Sequence, residues 1–158
     1  MSNERYNRKN VYKYAEKWAY DRNPKYYNFD SIGGDCTNFV SQCIFSGLGE
    51  MNYSKSKGWY YINGNNKSPS WTGVEFLYDF LISNKGAGPY GKETLISDLK
   101  IGDVIQLSFD GIKYNHSLIV IENGNSVSDT LIAAHTFDVW GKRVGDYNYS
   151  KYRCIHIL

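Results

Sequence analysis

The sequence predicts an α+β domain, with helices first and antiparallel strands after them. Three observations predict it. Apolar residues recur at helical spacing in the N-terminal half. After Pro89 the pattern changes to short runs rich in β-branched and aromatic residues. Asp110-Gly111 and Asn123-Gly124 stand between those runs as turn signals. The length of 158 residues fits one domain, spanning 1–158. A chain of this size buries a core without disulfides or metal as staples. No repeat, low-complexity tract or proline-rich linker divides it.

The first helix is expected from about Arg8 to Arg22, because Val11, Tyr14, Ala15, Trp18 and Ala19 fall on one face. Asn23-Pro24 stops it. A second helix starts at Cys36. Gly33-Gly34 supply a sharp entry turn, and Asp35 is an N-cap whose carboxylate can accept from first-turn N–H groups. Phe39, Val40 and Cys43 form its apolar stripe, and Gly47 or Gly49 ends it. Residues 50–71 are polar, aromatic and irregular, a loop length that is usually functional or mobile. Thr72 and Glu75 form a capping-box pattern for a third helix with Val74, Leu77, Tyr78 and Leu81 inward. Four strands follow: Asp103–Phe109, His116–Glu122, Leu131–Thr136 and Tyr152–Leu158.

Composition excludes several function classes. The formal net charge is +2, from 18 basic and 16 acidic residues with no basic run, which is too balanced for a nucleic-acid footprint. The longest apolar runs are only a few residues, so no membrane insertion is expected. The opening MSNERYNRKNVYKYAEKW lacks the apolar core of a signal peptide. As given, the chain is expected to be cytoplasmic, or else a domain cut from a longer precursor. Aromatic content is high, with 15 Tyr, 7 Phe and 4 Trp, and part of it belongs at a surface or groove where polar tips find partners. Oligomeric state is not legible.

Three cysteines, Cys36, Cys43 and Cys154, cannot all pair, so at least one thiol is free. Their spacing lacks a Cys-x-x-Cys pair, and the histidines lack an H-x-x-x-H pair; no metal or other cofactor is expected. Cys43 stands one residue short of an apolar run and Cys154 lies inside a strand, and both read as core thiols. Cys36 opens a helix, where the dipole and unpaired N–H groups favour a thiolate and can receive an oxyanion. It reads either as a buried thiol or as a nucleophile. A nucleophile needs a base. His116 opens one strand and His135 closes the next, so a hairpin brings both to one edge of the sheet, the base-plus-orienter arrangement. His156 reads as a strand-surface or packed histidine.

The segments GGDCTNFVSQ, LKIGDVIQL and NHSLIVIENG, in this order, resemble papain-like cell-wall hydrolases of the NlpC and CHAP type. The whole chain most resembles the bacterial putative amidase domain family. YNRKNVYKYAEKWAYDRNPKYYNFDSIGGDCTNFVSQ is similar to that family's N-terminal half, and TLIAAHT to its later polar strand. The resemblance implies a papain-like core, with a cysteine-bearing helix packed on a histidine-bearing antiparallel sheet. It implies Cys36 as nucleophile, His116 as general base and His135 as the third polar residue that fixes the His116 ring. Asp138 and Asn115 are further candidates for that third place. Asp35 and Asn38 match the motif as structural residues, a cap and a first-turn hydrogen-bonding residue.

The implied chemistry is acyl transfer through a thioester, with amide hydrolysis as the outcome. The implied substrate is a peptide, namely a peptidoglycan stem peptide or its link to the sugar, and the implied setting is the cell envelope if the domain is processed. Trp59, Tyr60, Tyr61 and Trp71 either wall the substrate groove or pack the loop onto the core. Rival readings are an acyltransferase or transglutaminase-like enzyme on the same scaffold, and a non-catalytic cell-wall-binding module. The joint presence of Cys36, His116 and His135 favours an enzyme over the latter.

Overall fold

A computed structural model describes residues 4–158. Residues 1–3, the start of the segment read for a leader, lie outside the described residues. Helix α1 spans Arg8–Trp18 and is capped by Asn7, whose side chain accepts from the Asn10 N–H. It ends four residues before the expected Arg22. The Asp21 carboxylate accepts from the Arg22 N–H at 2.8 Å, a local bond that competes with the helix. Val11, Ala15 and Ala19 are buried as expected.

Helix α2 spans Cys36–Leu48 and closes at Gly49, a left-handed C-cap with φ 72°. It starts and stops where the sequence indicates, and almost all of it is buried. The loop after it contains a two-stranded ribbon, β1 (Tyr61–Asn63) and β2 (Asn66–Lys67), and a short helix α3 (Pro69–Thr72). Helix α4 spans Val74–Ser83 with Leu77, Phe80 and Leu81 buried. The expected capping box does not form. Thr72 ends α3, Gly73 is the N-cap of α4, and Glu75 turns outward to the Tyr114 N–H and Arg153.

Six strands build one antiparallel sheet: β3 (Gly91–Thr94), β4 (Val104–Ser108), β5 (His116–Glu122), β6 (Leu131–Ala134), β7 (Val139–Arg143) and β8 (Lys151–Ile157). Their order is β3-β8-β4-β5-β6-β7. The sequence reading missed β3 and β7. Both are edge strands, GKET and VWGKR, with no fully buried residue, so they lack the apolar alternation that marks inner strands.

Each inner strand splits its side chains between two cores. Val104, Ile119, Ile121, Ala133, Ile155 and Ile157 pack under α1, α2 and α4 with Trp59 and Trp71. Ile105, Leu107, Leu118, Val120, Ile132 and Ala134 face the other way, under Leu99, Val144 and the partly buried Tyr147. The architecture is α+β, with helices packed on an antiparallel sheet. Among the described residues, no helix is long and apolar enough to cross a membrane.

Candidate active site

Cys36 is the first residue of α2 and is 8% exposed. Gly33 and Gly34 deliver it with φ of 80° and 95°, backbone that side chains other than glycine rarely adopt. A Cβ on Gly34 would lie 3.3 Å from Thr136 Oγ1, so this turn packs on the loop that follows β6.

One hydrogen bond ties the first turn of α2 to the start of β5: the Thr37 and Ser117 hydroxyls are 2.9 Å apart. The Val120 N–H turns toward β4, reaching the Asp103 carbonyl, so by alternation the Ser117 N–H turns toward β6. Strand β6 ends at Ala134, because Thr136 and Phe137 take φ of 67° and 57°.

The expectation of a lowered thiol pKa is corrected. Burial pushes the Cys36 thiol up, and the hydrogen bonds from Ser117 and Thr37 pull it down by less. The thiol is therefore protonated at rest. His116, 6% exposed, is pushed down to about 4 by burial and then by the Lys142 charge, so its imidazole is neutral at pH 7. Its ring sits against Tyr147, edge-on at 5.6 Å, and Phe109 at 6.2 Å.

His135 does not orient the His116 ring. Continuing the β5–β6 register past Ile119↔Ala133 puts His135 opposite Ser117. The two histidines share one end of the sheet, as expected, but occupy opposite faces. His116 follows Leu118 and Val120, and His135 turns under the helices. There His135 stacks on Phe39 with centroids 3.9 Å apart, and its Nδ1 donates to Asp35 Oδ2 at 2.5 Å. Its Nε2 lies 2.8 Å from the Trp18 carbonyl.

Asp35 is also corrected: it occupies the N-cap position, but its carboxylate makes no cap bond. The carboxylate accepts from the Phe29 N–H at 2.9 Å, Asn38 Nδ2 at 2.9 Å and His135. Burial pushes the Asp35 carboxyl up, and these bonds outweigh it, leaving it below its ordinary value.

The remaining candidates are placed as follows. Asn38 donates to Asp35 and the Tyr27 carbonyl and accepts from Trp71 Nε1, which is a structural role. Asp138 is held bidentately by Arg22, with both bonds 2.9 Å, away from His116. Asn115 accepts from the Phe109 N–H. Neither Asp138 nor Asn115 bonds to His116. Trp59 and Trp71 are fully buried and do not wall a groove. Tyr61 is buried too, its hydroxyl accepting from the Tyr27 N–H, and Tyr60 is half-buried. The loop packs onto the core because indole rings bury large apolar area while their N–H groups find Ser41 and Asn38 inside.

The sequence reading missed Thr37, Ser117, Lys142 and Tyr147. Thr37 and Ser117 directly follow Cys36 and His116, and adjacency was the available signal. Tyr147 has no local signal. Two open clefts, of about 530 and 410 Å³, are lined by Tyr27, Phe29 and Ile32 and by Arg22, Asp30 and Thr136; neither lining includes Cys36 or His116. A third cavity of about 500 Å³ lies under Phe76 and Ile82, away from the thiol. Among the described residues, no three His, Cys, Asp or Glu side chains cluster so as to hold a metal ion.

Comparison with known proteins adds a family. A sequence model described as a putative amidase domain matches residues 5–157. An uncharacterized protein, YhbB of Bacillus subtilis (strain 168), is 33% identical over 138 residues, which cover 84% of this chain and 42% of that protein. The chain thus spans less than half the length of this curated relative. No solved structure matches.

Proposed function

The chain belongs to the putative amidase domain family, whose activity class is amide hydrolysis, and from that premise we propose that Cys36 is the nucleophile and His116 the general base. One observation carries the reading: the Thr37 and Ser117 hydroxyls, on the residues that directly follow Cys36 and His116, lie 2.9 Å apart and tie the start of α2 to the start of β5. The papain-like layout, a cysteine helix on a histidine sheet, belongs to the same proposal.

The protonation states favour a concerted attack over a resting ion pair. Neutral His116 takes the thiol proton as sulfur bonds to the amide carbon. The carbonyl π pair moves to oxygen, which meets N–H groups of the first turn of α2. The C–N bond then breaks, and His116 gives the proton to the departing nitrogen. Water, deprotonated by His116, attacks the thioester and releases the acid and the free thiol. His135 and Asp35 are positioning residues, since they hold the turn that presents Cys36.

The substrate proposed is a peptide amide of peptidoglycan. Digestion of purified peptidoglycan followed by mass spectrometry tests this. The expected result is paired new amine and carboxyl termini with the wild type and none with Cys36→Ala. Identical fragments from both proteins would overturn Cys36 as nucleophile, and an unchanged wall would overturn the substrate.

A further inference from the structure

We propose that the Tyr147 hydroxyl is an oxyanion donor, hydrogen-bonding the carbonyl oxygen of the acyl group attacked by Cys36. The proposal rests on Cys36 and His116 acting as described above. Tyr147 follows a 3-10 turn at Val144–Asp146, and its ring stands edge-on to His116. The Lys142 ammonium lies over the Tyr147 ring, 3.8 Å from its centroid, a cation–π contact that holds the ring.

The hydroxyl oxygen is buried and has no hydrogen-bond partner among the described residues. Other inward tyrosines satisfy theirs: Tyr6 donates to the Gly102 carbonyl at 2.8 Å, Tyr14 to Gln42 at 2.5 Å, and Tyr61 accepts from Tyr27. A buried hydroxyl without a partner costs about 1–3 kcal/mol, so a fold that retains one beside a reactive pair is using it. Phenylalanine would pack the same space without that cost.

The chemistry suits a donor and excludes a base. Burial first, and then Cys36, push the Tyr147 hydroxyl up to about 12. It therefore keeps its proton at every working pH, and its ring stays against that of His116, with centroids 5.6 Å apart. As sulfur bonds to carbon and the π pair moves to oxygen, the Tyr147 O–H donates to that oxygen and keeps its proton. When the tetrahedral centre collapses, the C=O re-forms and the leaving group departs with its pair.

Two reagents on the full chain separate this role from thiol activation. p-Nitrophenyl acetate acylates Cys36 through an oxyanion and releases p-nitrophenolate; iodoacetamide alkylates it with none. Tyr147→Phe should slow acylation about 100-fold, change alkylation by no more than about twofold, and leave the urea midpoint equal or higher. Unchanged acylation overturns the proposal, and so does an equal fall in both rates, which would assign Tyr147 to the thiol. If the wild type is not acylated at Cys36, judged against Cys36→Ala, the nucleophile reading itself fails, whatever Tyr147 does.

Discussion

His135 donates from Nδ1 to Asp35 Oδ2 at 2.5 Å, joining residues 100 positions apart in the chain. Asp35 immediately precedes Cys36, so the histidine at the end of β6 holds the residue that starts the cysteine helix. The ring that the resemblance assigns to orienting His116 thus holds the residue beside Cys36 instead. Arg22 closes the arrangement, with its Nε 3.6 Å from Asp35 and its fork on Asp138 and Asp30.

This network should be costly to break. Asp35→Ala leaves the Phe29 N–H, Asn38 and His135 without their acceptor in a fully buried place. Each buried donor left without its acceptor costs about 1–3 kcal/mol, so the three together should cost several. Urea unfolding of this variant should register that loss, and a change below about 1 kcal/mol would remove Asp35 from the framework of the site.

His116 makes stability depend on pH with a definite sign. Its pKa is about 4 in the fold and about 6.5 when unfolded. Below pH 6.5 the unfolded chain takes the proton more readily, so stability is lost as pH falls from 6.5 to 4, by on the order of 3 kcal/mol. Asp35, held below its ordinary value, adds a further loss at lower pH still. Urea midpoints across this range should fall for the wild type and flatten between pH 6.5 and 4 in His116→Ala. The acylation rate should keep its full value down to about pH 5, since the base stays neutral there.

The three thiols should separate by accessibility and charge. Cys43 is 0% exposed and its thiol is pushed far up by burial; Cys154 is 3% exposed and is pushed up to about 12 by burial and Asp103. Cys36, 8% exposed and the least buried of the three, should react first with iodoacetamide at neutral pH. Its rate should rise further above pH 9, because the thiol is protonated at rest. Peptide mapping by mass spectrometry reads the order, and uniform slow labelling of all three would defeat it.

Trp71 separates a core role from a groove role. Trp71→Ala removes a fully buried indole and leaves Asn38 Oδ1 without its donor. A loss of about 3–5 kcal/mol is expected in urea unfolding. A stable variant with only a raised KM would return this residue to the groove.

Legibility followed the range of the interaction. Helix α2 could be read end to end, because Gly33, Gly34 and Gly49 act on their own neighbours. Inner strands β4, β5 and β8 were readable because burial on both faces leaves apolar runs. The edge strands β3 and β7 carry no such pattern. The aromatic loop was ambiguous, since an indole suits a core and a groove equally until its N–H partner is known.

The sequence by itself determined the class of the fold, the helix that begins at Cys36 and the strand that begins at His116, because glycine turns and apolar periodicity act over a few residues. Tertiary structure decided what those side chains meet. Strand alternation sends His116 and His135 to opposite faces, and a one-residue difference in parity is invisible until the β5–β6 register is set. Burial decided the charges, raising the thiol and lowering the imidazole against the helix-end expectation. The loop after β7 brought Tyr147 against His116 from 31 positions further along the chain, a contact that only the closed sheet creates.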